Sequence, residues 1–460
     1  MEGGTFRQHK YVGRALPTKT WGQPDDREKP VYWDRTIETL ERAALQELQL
    51  QRLRQTVSRA ARSPFYGERL AQAGVRPEWI NSLEDIRRIP FTSKDDLRAR
   101  GRDLLCVPQT EIVRLHASSG TTGQATVIYY TRRDIETWAD LVARSMYMTG
   151  VRPGDVFQNM MGYGLFTGGL GFHYGGERLG VLTIPAGAGN SARQIQLLQQ
   201  FGATVIHIIP SFALYLLKSF AEHGLDPRDL PLRIAFIGAE PHSEHMRRRI
   251  ETAYGLKAYN SYGLSEMNGP GVAFECPEQN GMHLWEDAFL LEVVHHQTLE
   301  PLGPGEMGEL VFTNLSREGM PLLRYRTRDL ASYEEDPCPC GRAFRRLSRI
   351  QGRTDDMFIV KGVNIFPLQI DRVLMAMPEV GSHYLVEVTR EEFNDLLHVK
   401  VEVQANFFQE DLKYLSGLKK RITEALRSEL LVTPRVELVE PHSLPRSEGK
   451  AQRVVDKRPK

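Results

Sequence analysis

Hydrophobic positions first recur at near-helical spacing over residues 36–62, where Ile37, Leu40, Leu45, Leu48, Leu53 and Val57 are separated by Glu, Gln and Arg. The spacing predicts an amphipathic helix with its apolar stripe on a core. Residues 1–31 ahead of it are polar, with Gly, Pro and charge, and read as a loosely held arm. Thr92 or Ser93 can cap a short helix that runs through Arg100, and residues 134–148 read as a longer one. Beyond that point strand-like and helix-like segments alternate. Short β-branched runs at 181–184, 204–209 and 233–238 are followed by helical patterns at 191–200, 211–223 and 243–254. Such alternation predicts βαβ units and a parallel sheet, hence an α/β fold. Ligands of parallel sheets gather at the carboxyl ends of the strands, which brings Pro210-Ser211-Phe212 and Gly238-Ala239-Glu240-Pro241 near a site. From about Ala288 the pattern changes to strands and turns, at 289–294, 308–313 and 323–325. From about Asp356 strands at 357–360, 397–403 and 435–439 alternate with helices at 367–377 and 409–428, enough chain for an independent domain.

One stretch has no use in a hydrophobic core: Ser118-Ser119-Gly120-Thr121-Thr122-Gly123-Gln124, followed at once by a strand-like segment. The glycines allow successive N–H groups to converge on an anion, and the hydroxyls add donors that can reach a phosphate-bound Mg²⁺. A P-loop lysine is absent, so this is not a Walker A sequence. By composition alone the run fits an anion nest or an ordinary flexible turn. Of the 460 residues, 41% are hydrophobic and 25% charged, with a net charge of +1, which gives no support to nucleic-acid binding. No apolar run approaches the roughly 18–20 residues of a membrane span, and the first ten residues lack an apolar signal core. Four cysteines in such a length do not make a disulfide scaffold, so a cytoplasmic location is expected.

Four further stretches follow the loop in order: Tyr262-Gly263-Leu-Ser-Glu266, Tyr325-Arg-Thr-Arg-Asp329, Arg349-Ile-Gln-Gly-Arg353-Thr-Asp355-Asp356 and Gly449-Lys450. With His116-Ala-Ser-Ser, Asn364-Ile-Phe-Pro367 and Arg446-Ser-Glu-Gly-Lys450-Ala, they resemble the adenylate-forming enzymes, the acyl-CoA synthetase superfamily, and within it the branch that activates phenylacetate and other aromatic acids. The resemblance runs from about Tyr32 to Arg458. It implies a large N-terminal adenylation domain over 32–354 with parallel βα sheets and a small β subdomain, and a small mobile α+β domain over 355–460. It implies an ATP- and Mg²⁺-dependent ligase that makes an aryl-CoA thioester from CoA through an acyl adenylate, and a homodimer.

The resemblance also implies roles for residues. Ser118, Ser119, Gly120, Thr121, Thr122 and Gly123 would hold the phosphates, with Thr122 taking part in catalysis. Gly238, Ala239, Glu240, Pro241, Tyr262, Gly263, Asp329, Arg349 and Arg353 would line the ATP/AMP site, Tyr262 by stacking on adenine and Asp329 by accepting from the ribose hydroxyls. Glu266 suits Mg²⁺, and Lys450 matches the adenylation lysine, aimed at charge that develops on the α-phosphate. Without the motifs, a salt-bridged Glu, a core Tyr, an Asp–Arg ion pair and a solvated tail lysine are the ordinary readings. Asp355 matches the hinge about which the C-terminal domain turns. An aryl pocket from Tyr163, Phe166 and Gly169, facing Pro210, Ser211 and Phe212, competes with plain glycine-rich packing of a helix on a sheet.

Cys276, His283, Cys338 and Cys340 offer three thiols and an imidazole to a closed zinc site, or are reduced cysteines without metal; Cys106 has no such company. Many relatives carry Lys-Pro after the Gly-Thr-Thr-Gly core, where this chain has Gln124-Ala125 and so no charge. Other readings share parts of the pattern: a ligase for indoleacetate, benzoate or another aromatic acid, an enzyme loading an aryl acid onto a carrier protein, and a nucleotide-binding regulator without turnover. Glu266 and Lys450 together speak against the last.

Overall fold

In the computed structural model, which describes residues 32–118, 125–240, 242–391, 394–408, 412–441, 443–445 and 453–458, the alternating segments form one nine-stranded sheet. Five strands run parallel in the order Leu182–Ile184, Val156–Asn159, Val205–Ile208, Ile234–Ile237 and Lys257–Leu264. Helices Thr167–Leu179, Ser191–Phe201, Pro210–Glu222 and Glu244–Tyr254 connect them. Val205–Ile208 and Ile234–Ile237 are buried along their whole length and Val156–Asn159 along all but its first residue, as strands covered by helices must be. The sheet then turns antiparallel through Gly269–Glu275, Met282–Leu284, Arg346–Leu347 and Tyr333–Glu334. A separate antiparallel sheet of Phe289–Val294, Gly308–Asn314, Tyr325–Ala331 and Gly352–Arg353 corresponds to the expected change of pattern after Ala288. The C-terminal part is a four-stranded sheet, in which Val380–Glu391 and Asn394–Val403 pair antiparallel, with helices Pro367–Met375 and Leu412–Leu430.

Ser93, rather than Thr92, caps the short helix Lys94–Arg100; Thr92 is instead bridged to Tyr325, with its N–H on the Arg324 carbonyl. The expected helix over 36–62 is two helices, Arg35–Glu38 and Arg42–Ala60. The break follows from Glu38: its carbonyl accepts the N–H of Ala343, and its buried carboxylate takes Arg342 and the Asp34 N–H. The sequence pattern missed many of the strands, among them Ile112–Ser118, Val156–Asn159, Lys257–Leu264, Gly269–Glu275, Val380–Glu391 and Val454–Asp456, and the strand expected at 323–325 begins at Tyr325 and continues to Ala331.

Residues 163–173 divide between a connection and the helix Thr167–Leu179, whose glycines pack it tightly. A Cβ on Gly171 would stand 2.5 Å from both Trp138 and Pro270, and one on Gly175 would stand 2.5 Å from Val142. Gly169 belongs to the same packing, since a Cβ there would lie 2.4 Å from the Gly162 carbonyl oxygen. Among the described residues no helix is long and apolar enough to cross a membrane.

Candidate active site

The paired strands Ile112–Ser118 and Thr126–Thr131 flank the glycine-rich segment in the sequence. Ser118 and Thr126 face each other at the end of this hairpin, each with a buried hydroxyl that has no partner among the described residues. Buried hydroxyls without a partner are uncommon, and these two keep donors free for a bound group. The segment before the glycine helix lies against this hairpin, because the Leu165 carbonyl accepts the Ala117 N–H and faces His116 Nδ1 at 3.1 Å. Ser119, Gly120, Thr121, Thr122, Gly123, Pro241 and Lys450 lie outside the described residues, as do Gln124, Gly449 and the 1–31 arm.

Three of the motifs converge on one carboxylate. The Tyr262 hydroxyl donates to Asp329 Oδ2 at 2.7 Å, and Arg353 donates to Asp329 Oδ1 at 2.7 Å. Asp329 and Arg353 are backbone neighbours on paired strands, which fixes the contact. Arg353 also reaches Asp355 at 2.9 Å, so the expected hinge residue sits at the edge of the same cluster. Burial, then the charge of Asp329, push the Tyr262 phenol far above its ordinary range, so it stays a donor at any ordinary pH. Gly263 has no room for a side chain, because a Cβ would stand 1.6 Å from the Gly269 carbonyl oxygen.

Glu266 lies in the turn Ser265–Met267 and is almost wholly buried. Its carboxylate faces the Tyr325 hydroxyl and, at 3.9 Å, the Lys94 ammonium; its carbonyl accepts Arg317 Nη1 at 2.9 Å. Arg317 stacks over Tyr130, 4.2 Å from the ring centre. Neither Lys94 nor Arg317 carried a sequence signal, because what places them is contact between distant segments.

The strand Ile234–Ile237 ends in Gly238, whose missing Cβ leaves space for Ser261, and Ala239 adopts the left-handed region at φ 65°. A non-glycine residue held there is a local strain of the kind that collects at binding sites. Glu240 accepts the Ser211 N–H at 2.7 Å, joining two strand ends that the pattern had brought to one edge. Burial raises the Glu240 carboxyl, and the nearby Arg453 opposes that rise. Arg453, three residues past Lys450, is held by Asp371 and stacks on Tyr384 at 4.7 Å. Arg453 thus stands at the Glu240 end of the sheet. Arg349 bonds Glu244 at 2.7 Å and Glu275 at 3.4 Å, beside buried His242.

The proposed aryl residues fall around the ends of the adjacent strands Val156–Asn159 and Val205–Ile208. Asn159 Nδ2 donates to the Tyr163 hydroxyl at 3.0 Å and to the Gly169 carbonyl, while its oxygen faces His207 Nδ1 at 3.1 Å. Burial pushes the Tyr163 phenol up to about 12 and holds His207 neutral, down at about 3. Phe166 is exposed, its ring lying against Gly168, and Phe212 stacks on Tyr215. Pro210 is the buried first residue of its helix.

Away from these groups, Cys276, His283, Cys338 and Cys340 come together, all buried, with their ligand atoms within 4.8 Å of one another. Cys276 and Cys338 sulfurs are 3.7 Å apart, and Cys340 Sγ lies 3.2 Å from His283 Nε2. A tetrahedral zinc site with ordinary bond lengths requires about 3.8 Å between sulfurs and about 3.6 Å from sulfur to nitrogen. The His283 Nδ1 faces the Phe344 carbonyl at 3.3 Å, which turns Nε2 inward as a metal ligand requires. The donor set fits the ion.

The AMP-binding enzyme family description matches residues 41–316, and that of the AMP-binding enzyme C-terminal domain matches 362–458. The chain is 46% identical to a phenylacetate–coenzyme A ligase of Thermus thermophilus, over 92% of this chain and 98% of that one. It belongs to the phenylacetate–coenzyme A ligase family of AMP-binding enzymes. A member from Escherichia coli is 42% identical over 92% of this chain and 97% of its own length. As a member of that family the chain is an AMP-forming acid–CoA ligase. It also resembles a solved 2-hydroxyisobutyryl-CoA ligase in its postadenylation state, with TM-score 0.88 and 32% identity over 95% of this chain and 94% of that one. The same ligase in its thioesterification state superposes with TM-score 0.70, at 33% identity over 96% and 95%.

Proposed function

We propose that the enzyme is a cytoplasmic, homodimeric phenylacetate–CoA ligase that converts ATP, phenylacetate and CoA into phenylacetyl-CoA, AMP and pyrophosphate. The observation that carries this reading is 42–46% identity to four ligases of that name, each over 92% of this chain. The carboxylate oxygen attacks the α-phosphorus and pyrophosphate leaves; the CoA sulfur then attacks the acyl carbon and AMP leaves. Residues 32–354 adenylate and residues 355–460 form the mobile domain. Ser118 to Gly123 cradle the phosphates with backbone N–H groups and hydroxyls, Thr122 among them, and Lys450 meets the charge on the α-phosphate. Tyr262 lies against the adenine, while Asp329 and Arg353 hold the ribose; Gly238 to Pro241, Gly263 and Arg349 complete the nucleotide wall. Glu266 holds Mg²⁺, which neutralises phosphate charge when bound. Tyr163, Phe166, Gly169, Pro210, Ser211 and Phe212 enclose the aryl group, and the neutral Asn159–His207 pair beneath them holds the Tyr163 hydroxyl in place. Cys276, His283, Cys338 and Cys340 hold a structural zinc ion. The better superposition on a postadenylation state supports reading the present domain arrangement as the one that precedes rotation about Asp355.

The likeness to 2-hydroxyisobutyryl-CoA ligase favours one second reading, a small branched acid as substrate. AMP formation measured with phenylacetate, indoleacetate, benzoate and 2-hydroxyisobutyrate separates these. Phenylacetate is expected to lead in kcat/KM over benzoate, one methylene shorter, by about tenfold or more. A higher value for another acid moves the substrate assignment, and turnover that needs a carrier protein in place of CoA overturns the thioester product.

A further inference from the structure

The four-ligand cluster lies one residue from a carboxylate that holds Arg349, a residue proposed for the nucleotide wall. Cys276 directly follows Glu275, and Glu275 is buried with its carboxylate on Arg349 and on the Asn260 N–H. His283 lies in the next strand, paired with Phe274 on one side and with Arg346 on the other. Cys338 and Cys340 lie in the connection that leads into that last strand, which then continues through Ser348 to Arg349.

Two ladder pairs, Arg346 with His283 and Leu347 with Met282, and the Leu284 N–H on the Arg345 carbonyl just before them tie this short strand to its neighbour in the large sheet. Its other neighbour, Tyr333–Glu334, is just as short. Strands of two residues have little register specificity of their own. A metal bound to one thiol of the Gly269–Glu275 side, the imidazole of the middle strand and two thiols of the incoming connection clamps all three segments in one register.

Arg349 is the side chain that register aims. It spans from Glu275, beside the metal cluster, to Glu244 at the start of the helix that follows the Gly238–Ala239–Glu240 segment. One of its nitrogens, Nη1, is buried without a partner among the described residues, so it has a donor to spare.

We propose that the metal centre of Cys276, His283, Cys338 and Cys340 is a positioning device for the nucleotide site, acting by holding Glu275 and Arg349 where Arg349 meets bound nucleotide. This rests on the zinc reading above and on the placing of Arg349 in the nucleotide wall. The centre takes no part in the chemistry, because four protein ligands leave no open position. Metal and nucleotide are then linked, and each strengthens the binding of the other by one common factor.

The test is a cycle of ATP affinity measured by calorimetry without acid or CoA, so it does not depend on which acid is the substrate. Freshly purified protein should hold one zinc per chain by elemental analysis. Removing zinc with a mercurial and EDTA, then restoring thiols, should weaken ATP binding by about tenfold or more, and returning zinc should restore it. In Arg349→Met the affinity should already be weak, and zinc removal should change it by less than about twofold. Absence of zinc in the purified protein overturns the metal reading itself. Zinc present but ATP affinity unchanged on its removal overturns the coupling and leaves the metal reading standing. An equal further loss in Arg349→Met shows a general structural role and also overturns the coupling. If the metal-free chain unfolds by circular dichroism, Glu275→Gln with zinc bound decides: weaker ATP binding with full zinc content supports the proposal, and unchanged affinity overturns it.

Discussion

Lys450 and Glu266 become legible in the same way. Each is an ordinary charged side chain that acquires a role only from its motif. The role proposed for Lys450 predicts that Lys450→Ala lowers pyrophosphate release by about 10²-fold or more, while CoA thioester formation from supplied acyl adenylate continues. An unchanged release rate contradicts the assignment. Tyr262, Asp329 and Arg353 were readable for the same reason, and the structure brings all three into hydrogen-bond contact. Asn159, His207, Lys94 and Arg317 were not readable, because their partners come from segments far away in the chain. Burial is what marks His207, held down at about 3, and His242, held down at about 4. An unfolded chain takes up both protons near pH 6.5 and the folded chain does so only well below that, so their contribution is complete above pH 6.5 and is lost as the pH falls toward 4. At pH 5 the two together cost at most about 4 kcal/mol. The urea midpoint should therefore drop between pH 7 and pH 5, and His207→Gln should make that drop smaller; an equal drop in the variant contradicts it.

At the scale of elements, the βα alternation was plain because period and punctuation agreed along residues 181–254. The helix Thr167–Leu179 was obscured by its own glycines, which lower helix propensity yet admit Trp138, Val142 and Phe157 to close contact. Gly171→Ala tests that packing. The gain of about 1 kcal/mol in helix propensity is outweighed by overpacking of about 1–3 kcal/mol. Trp138 has little freedom to yield, since its Nε1 donates to the Pro270 carbonyl and its ring stacks on Tyr130. Urea unfolding should show a net loss of stability, and a gain contradicts the packing role. The proposed rotation about Asp355 belongs to this scale too. Fixing φ near −65° there, in Asp355→Pro, should leave adenylation in place and abolish thioester formation. Equal loss of both half-reactions, assayed separately, contradicts a hinge.

For the whole molecule, the break between the large and the C-terminal parts was visible as a change of pattern near Asp356, but the way they sit together was not, because it depends on contacts between distant segments, such as Arg372 with Gln351 and Arg453 beside Glu240. Arg453, held by Asp371 and Tyr384, stands beside Glu240, where adenylation is proposed to occur. The central claim is that the acid is activated as an adenylate before CoA takes part. It is tested most directly by exchange of labelled pyrophosphate into ATP with phenylacetate present and CoA absent. The account predicts exchange that requires phenylacetate and is lost in Lys450→Ala; exchange that appears only when CoA is added, or release of ADP in place of AMP during turnover, contradicts it.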